Sequence, residues 1–190
     1  MLMVENMLTW GFEHAIRGMR NPMNSWDKSD SHFHYNDCLS CVHINEDCVK
    51  EHKVCGDVVC FNIGENDLDL MQRLYKAGNE HRKFLRQIFV SMDITAPLYW
   101  WKEFDTYKVG TVANSCSTMH KIHAKKFEMK DFSHEHLNEA CYLQLAHVIE
   151  TLNVVRDVYV ENNDKEYWWQ MIQLLPSSYN QKRTITCLLY

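Results

Sequence analysis

The sequence predicts a mixed α/β (α+β) fold in which long helices pack against a sheet. Apolar residues recur at helical spacing over residues 62–78 and again from Ser133 to about Asn162. Between these segments, apolar and polar residues alternate over residues 87–94, which is typical of a half-buried strand. The sequence shows no internal repeat. A chain of 190 residues then predicts a single domain, residues 1–190.

Composition and charge narrow the classes of function. Hydrophobic residues make up 46% and charged residues 24%, as in a soluble globular protein. The net charge of −5 argues against a general nucleic-acid binder, because such proteins carry a basic excess. The sequence contains no apolar run of about eighteen residues and no signal peptide at its start. We therefore expect a cytoplasmic protein that binds neither nucleic acid nor membrane.

The first half of the chain contains two predicted helices. Residues 2–20 have apolar positions near helical spacing, and Asn21-Pro22 would end that helix. The helix within residues 62–78 would begin with Asn66 or Asp67 as its N-cap. The strand over residues 87–94 follows it.

The second half is predicted to be largely helical. Pro97–Phe104 favours a short helix with Pro97 in its first turn. Ser133 is the expected N-cap of the longest helix, and a further helix runs from Lys165 to Leu175. A last helix would begin near Tyr179 and reach the C-terminus.

The segment from about residue 35 to residue 60 differs from the rest of the chain. It is rich in cysteine, histidine and acidic residues and shows little periodicity. Cys38 and Cys41 form a Cys-x-x-Cys pair, and Cys48 and Cys55 follow. Thiolates at such spacing suit a structural zinc ion, which would order a segment that has no core. The alternative interpretation is a loop with reduced, free thiols.

Two polar clusters are candidates for binding an anion. Lys102, Lys108, Asn114, Ser115 and Ser117 follow an aromatic run and could cradle a phosphate and a base, although their spacing alone favours an ordinary polar turn. The second cluster is His81, Arg82, Lys83 and Arg86. It predicts either a phosphate clamp or a solvated helix end whose cations offset the helix dipole.

Two aromatic doublets, Trp100-Trp101 and Trp168-Trp169, bear on assembly. In each doublet one ring can enter the core while the other lies at a cleft or a subunit interface, and a stacking platform for a ring ligand is the alternative. The apolar pattern at the C-terminus reaches Tyr190 without a stop, which favours continuation of that element or a partner surface there. Together these features predict a homo-oligomer.

The segment from Ala96 to Ser117 resembles the flavin-dependent thymidylate synthases (ThyX). In that family an Ala-Pro step begins a helix that leads to Arg-Gln, two bulky residues and Arg-His-Arg, with a serine seven residues later. The corresponding places are taken here by Ala96-Pro97, Lys102-Glu103, Phe104-Asp105, Thr106-Tyr107-Lys108 and the stretch Ser115 to Ser117.

Weaker similarities extend the resemblance to most of the chain. The exception is the Cys/His-rich segment from about residue 35 to residue 60, which the resemblance implies to be an insertion. His81 stands where the family has a histidine before its flavin-side strand. Leu175-Pro176 resembles a family Leu-Pro step, with Thr186 placed like the threonine of the helix that follows it. Arg20 matches an early family arginine.

The chain departs from the family at its signature. The Arg-His-Arg that holds flavin phosphates and nucleotide in the family is replaced by Thr106-Tyr107-Lys108. Asn114 replaces a glutamate, and Ile172 replaces an arginine. Each lost guanidinium removes a bidentate phosphate contact that lysine or threonine cannot reproduce.

The resemblance implies a ThyX-like curved sheet flanked by long helices, in a tetramer with sites at subunit interfaces. Our leading hypothesis is a non-catalytic protein that binds a nucleotide or nucleotide-derived anion at such an interface, with FAD binding weakened by the lost arginines. One alternative is an active synthase that methylates dUMP to dTMP with FAD, a reduced nicotinamide cofactor and methylenetetrahydrofolate. The second alternative is a structural protein that keeps only the fold. The expected binding residues are His81, Arg86, Lys102, Thr106, Tyr107, Lys108, Asn114, Ser115 and Ser117.

Overall fold

The computed structural model describes residues 2–34, 60–107 and 109–189, and in these ranges the fold mixes helices with strands as predicted. The strands are β1 (Met3–Trp10), β2 (His32–His34), β3 (Cys60–Asn62), β4 (Phe89–Pro97), β5 (Thr111–Ser115) and β6 (Asn180–Leu188). The α-helices are α1 (Phe12–Arg20), α2 (Glu65–Lys76), α3 (Leu98–Phe104), α4 (Thr118–Lys121), α5 (Glu139–Asn162) and α6 (Lys165–Leu174). Four strands form one sheet in the order β1-β4-β6-β5, and β2 pairs with β3 in an antiparallel ribbon.

The chain divides into two compact units. The first comprises Met1–Leu8 and Val90–Cys187, and the second comprises Thr9–Phe89 and Leu188–Tyr190. The four predicted zinc ligands, Cys38, Cys41, Cys48 and Cys55, lie outside the described residues, as does Lys108.

The first unit has two hydrophobic clusters. In one, α5 packs against α6, and Leu152 and Met171 are fully buried between them. In the other, Trp101 on α3 is buried against strand residues that include Ile94 and Ile185. The indole nitrogen of Trp101 donates to the carbonyl oxygen of Gln181 at 2.9 Å, so its polar group is satisfied in the core. One ring of this doublet therefore serves the core, as predicted.

The second unit is built around α1, α2 and the 3₁₀ helix Arg82–Gln87. Their apolar faces meet at a cluster that contains Ile16, Leu70, Phe84 and Ile88. Leu70, Met71 and Leu74 of the apolar face predicted for the helix within residues 62–78 lie in this cluster, whereas Leu68 and Tyr75 of that face are exposed.

The predicted helix over residues 2–20 is wrong in its first half. Met3–Trp10 forms an edge strand of the sheet, and only Phe12–Arg20 is helical. The break falls at Gly11, whose φ of 95° is strained for any residue with a side chain. A Cβ there would lie 2.1 Å from the carbonyl oxygen of Gln87, so only glycine fits this close approach.

The predicted last helix is also wrong, because Asn180–Leu188 is a strand. It pairs antiparallel with β5, with Val112 opposite Thr186 and Ala113 opposite Ile185. The β-branched run of Thr184, Ile185 and Thr186 suits this pleated, half-buried position.

Both predicted helix caps differ in the structure. Asn138, not Ser133, caps α5, and its side-chain oxygen accepts from the N–H of Cys141. The N-cap position of α2 is Gly64 rather than Asn66 or Asp67. Asp30, distant in sequence, instead accepts hydrogen bonds from the first free N–H groups of α2, those of Asn66 at 2.9 Å and Asp67 at 3.1 Å.

Candidate functional site

The signature segment of the first unit begins at the end of α3. Pro97 is the N-cap residue of that helix, and the buried Trp101 fixes its orientation. Lys102 lies exposed in the last turn, and Tyr107 is 66% exposed in the turn beyond it. These two side chains are free to meet a ligand from solvent.

Thr106 has a local structural role. Its hydroxyl donates to the carbonyl oxygen of Glu103 at 2.7 Å, which satisfies one of the last carbonyl groups of α3. A hydroxyl held in this way is a poor replacement for the phosphate-binding guanidinium that the resemblance implies at this position.

Asn114 and Ser115 are neighbours on β5, and their side chains point to opposite faces of the sheet. In the register with β6, Asn114 is opposite Thr184 and Ser115 is opposite Arg183. The two predicted ligands therefore belong to different surroundings, and a single small anion on one face cannot contact both side chains.

Ser117 caps a helix. Its hydroxyl oxygen accepts from the N–H of His120 at 3.0 Å, at the start of the short helix α4. The structure thus assigns this serine the ordinary N-cap role that its residue type favours.

One face of the sheet carries a polar network that the sequence analysis did not identify. Asp93 accepts hydrogen bonds from Thr184 at 2.7 Å and from Asn6 at 2.9 Å, and Lys182 lies 3.4 Å from the same carboxylate. The hydrogen bond from Thr184, followed by that from Asn6, lowers the pKa of Asp93. Lys182 also contacts Glu5 at 3.1 Å. Lys182 and Thr184 lie two residues apart on β6 and therefore share a face of the sheet, which a predicted helix does not reveal.

Arg183 is a further residue that the sequence analysis did not identify as a candidate. Its guanidinium carbon lies 4.3 Å from the centre of the Trp101 ring, and its Nη1 donates to Asp105 Oδ1 at 2.7 Å. Its Nε donates to Gln181 Oε1 at 2.9 Å. The guanidinium therefore contacts Asp105, the residue that precedes Thr106, and Arg183 lies directly opposite Ser115 on the neighbouring strand.

His81 and Arg86 belong to the second unit, unlike the other predicted site residues. His81 is exposed at the start of the 3₁₀ helix Arg82–Gln87. Arg86, Arg82 and Lys83 line a small cavity of about 100 Å³ together with Asn79, Leu85 and Leu189. The basic cluster thus follows a turn after α2 and lies in a 3₁₀ helix, not at the end of an α-helix.

Arg20, which the resemblance matched to a family arginine, is buried in the second unit. Its Nε donates to Asp67 Oδ1 at 2.6 Å, and the exposed fractions of the two side chains are 4% and 0%. Arg20 therefore stabilises the interior of this unit and does not face a ligand.

Residues 2–34, 60–107 and 109–189 contain no group of three or more His, Cys, Asp or Glu side chains that could hold a metal ion. The predicted zinc site lies outside these ranges and stays a prediction. None of the helices described in these ranges is long and apolar enough to cross a membrane.

Solved structures share this fold. The ThyX flavin-dependent thymidylate synthase of Helicobacter pylori, complexed with FAD and dUMP, aligns over 97% of this chain and 78% of its own at 16% identity, with a TM-score of 0.58. The UMP/dUMP methylase PolB of Streptomyces cacaoi, bound with 5-Br UMP, aligns over 100% of this chain and 72% of its own at 10% identity, with a TM-score of 0.50. No family profile matches the sequence, and no curated protein matches it. At these identities the similarity shows the fold alone.

Proposed function

We propose that the chain binds a uridylate-class nucleotide, such as dUMP or UMP, through the first unit. The observation that carries the proposal is the shared fold, because two proteins with that fold are known with dUMP or 5-Br UMP bound. The match extends over 97% of this chain or more. A net charge of −5 and the exposed polar groups around α3 and β5 are compatible with a small anionic ligand rather than a nucleic acid.

The exposed side chains of the signature segment supply the chemistry for this ligand. Lys102 provides a point charge for a phosphate, and Tyr107 provides a ring for stacking and a hydroxyl for hydrogen bonding. Lys108 is the remaining cation of the signature trio and carries the phosphate in this proposal.

The described part of the signature segment fits a flavin diphosphate poorly. Thr106 carries no charge for a phosphate, and its hydroxyl already donates to the carbonyl oxygen of Glu103. Two of the three family cations are replaced. We therefore propose nucleotide binding without flavin-dependent methyl transfer.

The second candidate function is flavin-dependent methylation of dUMP. A specific observation favours it, since the Helicobacter protein of the same fold holds FAD and dUMP together. A purified protein with flavin absorbance that converts dUMP to dTMP would establish this alternative and contradict the non-catalytic proposal.

The test of nucleotide binding is calorimetric titration with dUMP and UMP, supported by thermal shift. A ligand specific to the native state raises the melting temperature by mass action. Lys102→Ala should weaken binding about tenfold to a hundredfold, the equivalent of roughly 1.5 to 3 kcal/mol for a charged hydrogen bond, and Lys108→Ala should weaken it more. Binding should also weaken as salt rises.

Lys76→Ala is the matched control, because it removes the same charge from an exposed position at the end of α2 in the second unit. Tyr107→Phe separates stacking from hydrogen bonding, since it keeps the ring and removes the hydroxyl. An unchanged melting temperature at millimolar dUMP and UMP would contradict the proposal. It would favour the alternative that the chain is a structural protein that keeps only the fold.

A further inference from the structure

Arg183 holds a guanidinium rigidly beside the signature segment. The face of the group stacks on the Trp101 ring at 4.3 Å, and Nε is fixed by Gln181 at 2.9 Å. Gln181 is itself held, because its Nε2 donates to the carbonyl oxygen of Cys116 at 2.8 Å. Because Nε is held by Gln181, the edge formed by Nη1 and Nη2 is the one that can donate two parallel hydrogen bonds to an oxyanion.

The Asp105 carboxylate binds this edge of the Arg183 guanidinium, and an anion from solvent can replace it. Asp105 accepts from Nη1 at 2.7 Å, yet its side chain is 51% exposed whereas that of Arg183 is 15% exposed. A half-exposed ion pair contributes little to stability and exchanges readily with solvent ions. A phosphate group carries more charge and more acceptor oxygens than a carboxylate, so it competes well for the same donors.

The ion pair of Arg183 and Asp105 lies next to both groups of predicted binding residues in this unit, those that follow α3 and those on β5. Asp105 directly precedes Thr106 and Tyr107 on the α3 side, and Arg183 is the cross-strand partner of Ser115 on β5. Because directly opposed residues share a face of the sheet, Ser115 and Arg183 lie on the same side. A phosphate at the Arg183 edge would thus lie beside both segments.

We propose that Arg183 binds the phosphate of the nucleotide in exchange for the Asp105 carboxylate. The inference rests on the proposed function and adds a guanidinium that sequence position alone did not reveal. Arg183 supplies from β6 the bidentate contact that the signature trio has lost. Asp105 acts as an internal competitor that occupies the guanidinium while the site is empty.

The test uses the full-length protein, dUMP titration and two opposite variants. Arg183→Lys should weaken dUMP binding about tenfold or more, because lysine cannot form the bidentate contact. Asp105→Asn should tighten binding by up to about fivefold, because it removes the competing charge. In an Arg183→Gln background the gain from Asp105→Asn should vanish, since the competition requires the guanidinium.

Controls distinguish this inference from effects on folding and on charge. Arg73 and Asp69 form an exposed ion pair on α2 at 2.9 Å, so Arg73→Lys and Asp69→Asn repeat the same changes in the second unit and should leave binding unaltered. Melting temperatures without ligand report any loss of packing on Trp101.

Three outcomes would overturn the inference. If the wild-type protein binds neither dUMP nor UMP, the proposed function fails and this inference fails with it. If the wild type binds and both variants match it, the inference alone fails. If Asp105→Asn weakens binding as Arg183→Lys does, the ion pair supports the local structure and does not compete with a phosphate.

Discussion

Asp67 is a charged residue that the fold buries completely in the second unit. Its carboxylate accepts hydrogen bonds from Arg20 Nε at 2.6 Å and from the hydroxyls of Ser29 at 2.7 Å and Ser31 at 2.6 Å. The backbone N–H groups of Asp30 and Ser31 also donate to it, each at 3.2 Å. A buried charge with this many donors fixes the loop before β2 against α2, since any rearrangement would leave it unsatisfied.

We predict that Asp67→Asn destabilises the protein by roughly 3 to 5 kcal/mol, because it leaves the Arg20 guanidinium buried without a counter-charge. The measurement is urea unfolding followed by circular dichroism. Asp69→Asn is the control on the same helix. Its ion pair with Arg73 is exposed, so the expected loss is below about 1 kcal/mol. Equal losses in the two variants would contradict a special role for the buried pair.

The same carboxylate makes stability depend on pH. Burial acts to raise the pKa of Asp67, but the hydrogen bonds of Ser31, Ser29 and Arg20 and the charge of Arg20 together hold it below its ordinary value. A lowered folded-state pKa contributes stability that is complete above about pH 4 and is lost as the pH falls through the folded value. Unfolding measured from pH 6 to about pH 2 should therefore show a flatter acid-side decline in Asp67→Asn than in the wild type.

The surroundings of a candidate residue could be predicted where its type permits few roles, and not where its neighbours come from remote strands. Lys102 and Tyr107 are exposed where the sequence placed them. Thr106 and Ser117 instead satisfy helix ends, a competing use of hydroxyls that spacing alone cannot exclude. Arg183 was missed because its partner Asp105 is far away in sequence and its strand had been assigned to a helix.

At the scale of elements, α5 shows what limits sequence-based prediction. Its apolar positions predicted the helix and its end near Asn162, where Asn163 takes a left-handed φ of 52° that asparagine tolerates. Its start was predicted at Ser133 and lies at Glu139. Periodicity locates the body of a helix, whereas several polar residues can serve as caps and only the path of the chain selects one.

We predict that Asn138→Ala destabilises the protein by about 1 kcal/mol, because its side chain is the acceptor for the N–H of Cys141. Ser133→Ala is the matched control. The Ser133 hydroxyl donates to Glu135 at 2.6 Å and lies 3.3 Å from the Tyr99 hydroxyl, but it is not the N-cap of α5, so its loss should cost less than that of Asn138. Thermal unfolding compares the two, and a larger loss in Ser133→Ala would favour the cap that the sequence suggested.

The same reason explains why β1 and β6 were both predicted to be helices. Isolated segments of eight or nine residues with mixed apolar spacing satisfy both periodicities, and pairing decides between them. β1 lies at one edge of the sheet, and β6 lies between β4 and β5. Both β1 and β6 pair with strands that lie far away in the sequence. The pattern of a single segment does not show which strand it will pair with.

At the scale of the whole molecule, the surface of α5 bears on assembly. Leu145, Ile149 and Leu152 bury one side of the helix. On the opposite side Leu143 and Val154 lie about three turns apart and are 58% and 59% exposed in the described part of the chain. His147 and Glu150 lie between them on that side and are 77% and 76% exposed, so the observation on α5 that favours assembly is these two apolar side chains and not a continuous apolar face.

We propose on this basis that the chain forms a homo-oligomer, with a tetramer as the form that the resemblance implies. Light scattering after size-exclusion chromatography at micromolar concentration should give a mass above that of one 22.6 kDa chain. Leu143→Glu and Val154→Glu should lower that mass, because a charge would be desolvated in an apolar contact. Leu68→Glu, on an exposed position of α2, adds the same charge elsewhere and should leave the mass unchanged. A monomeric wild type would contradict the assembly and would restrict nucleotide binding to residues of a single chain. If the wild type is an oligomer and Leu143→Glu lowers its mass, dUMP titration of that variant decides whether a second copy contributes to the site.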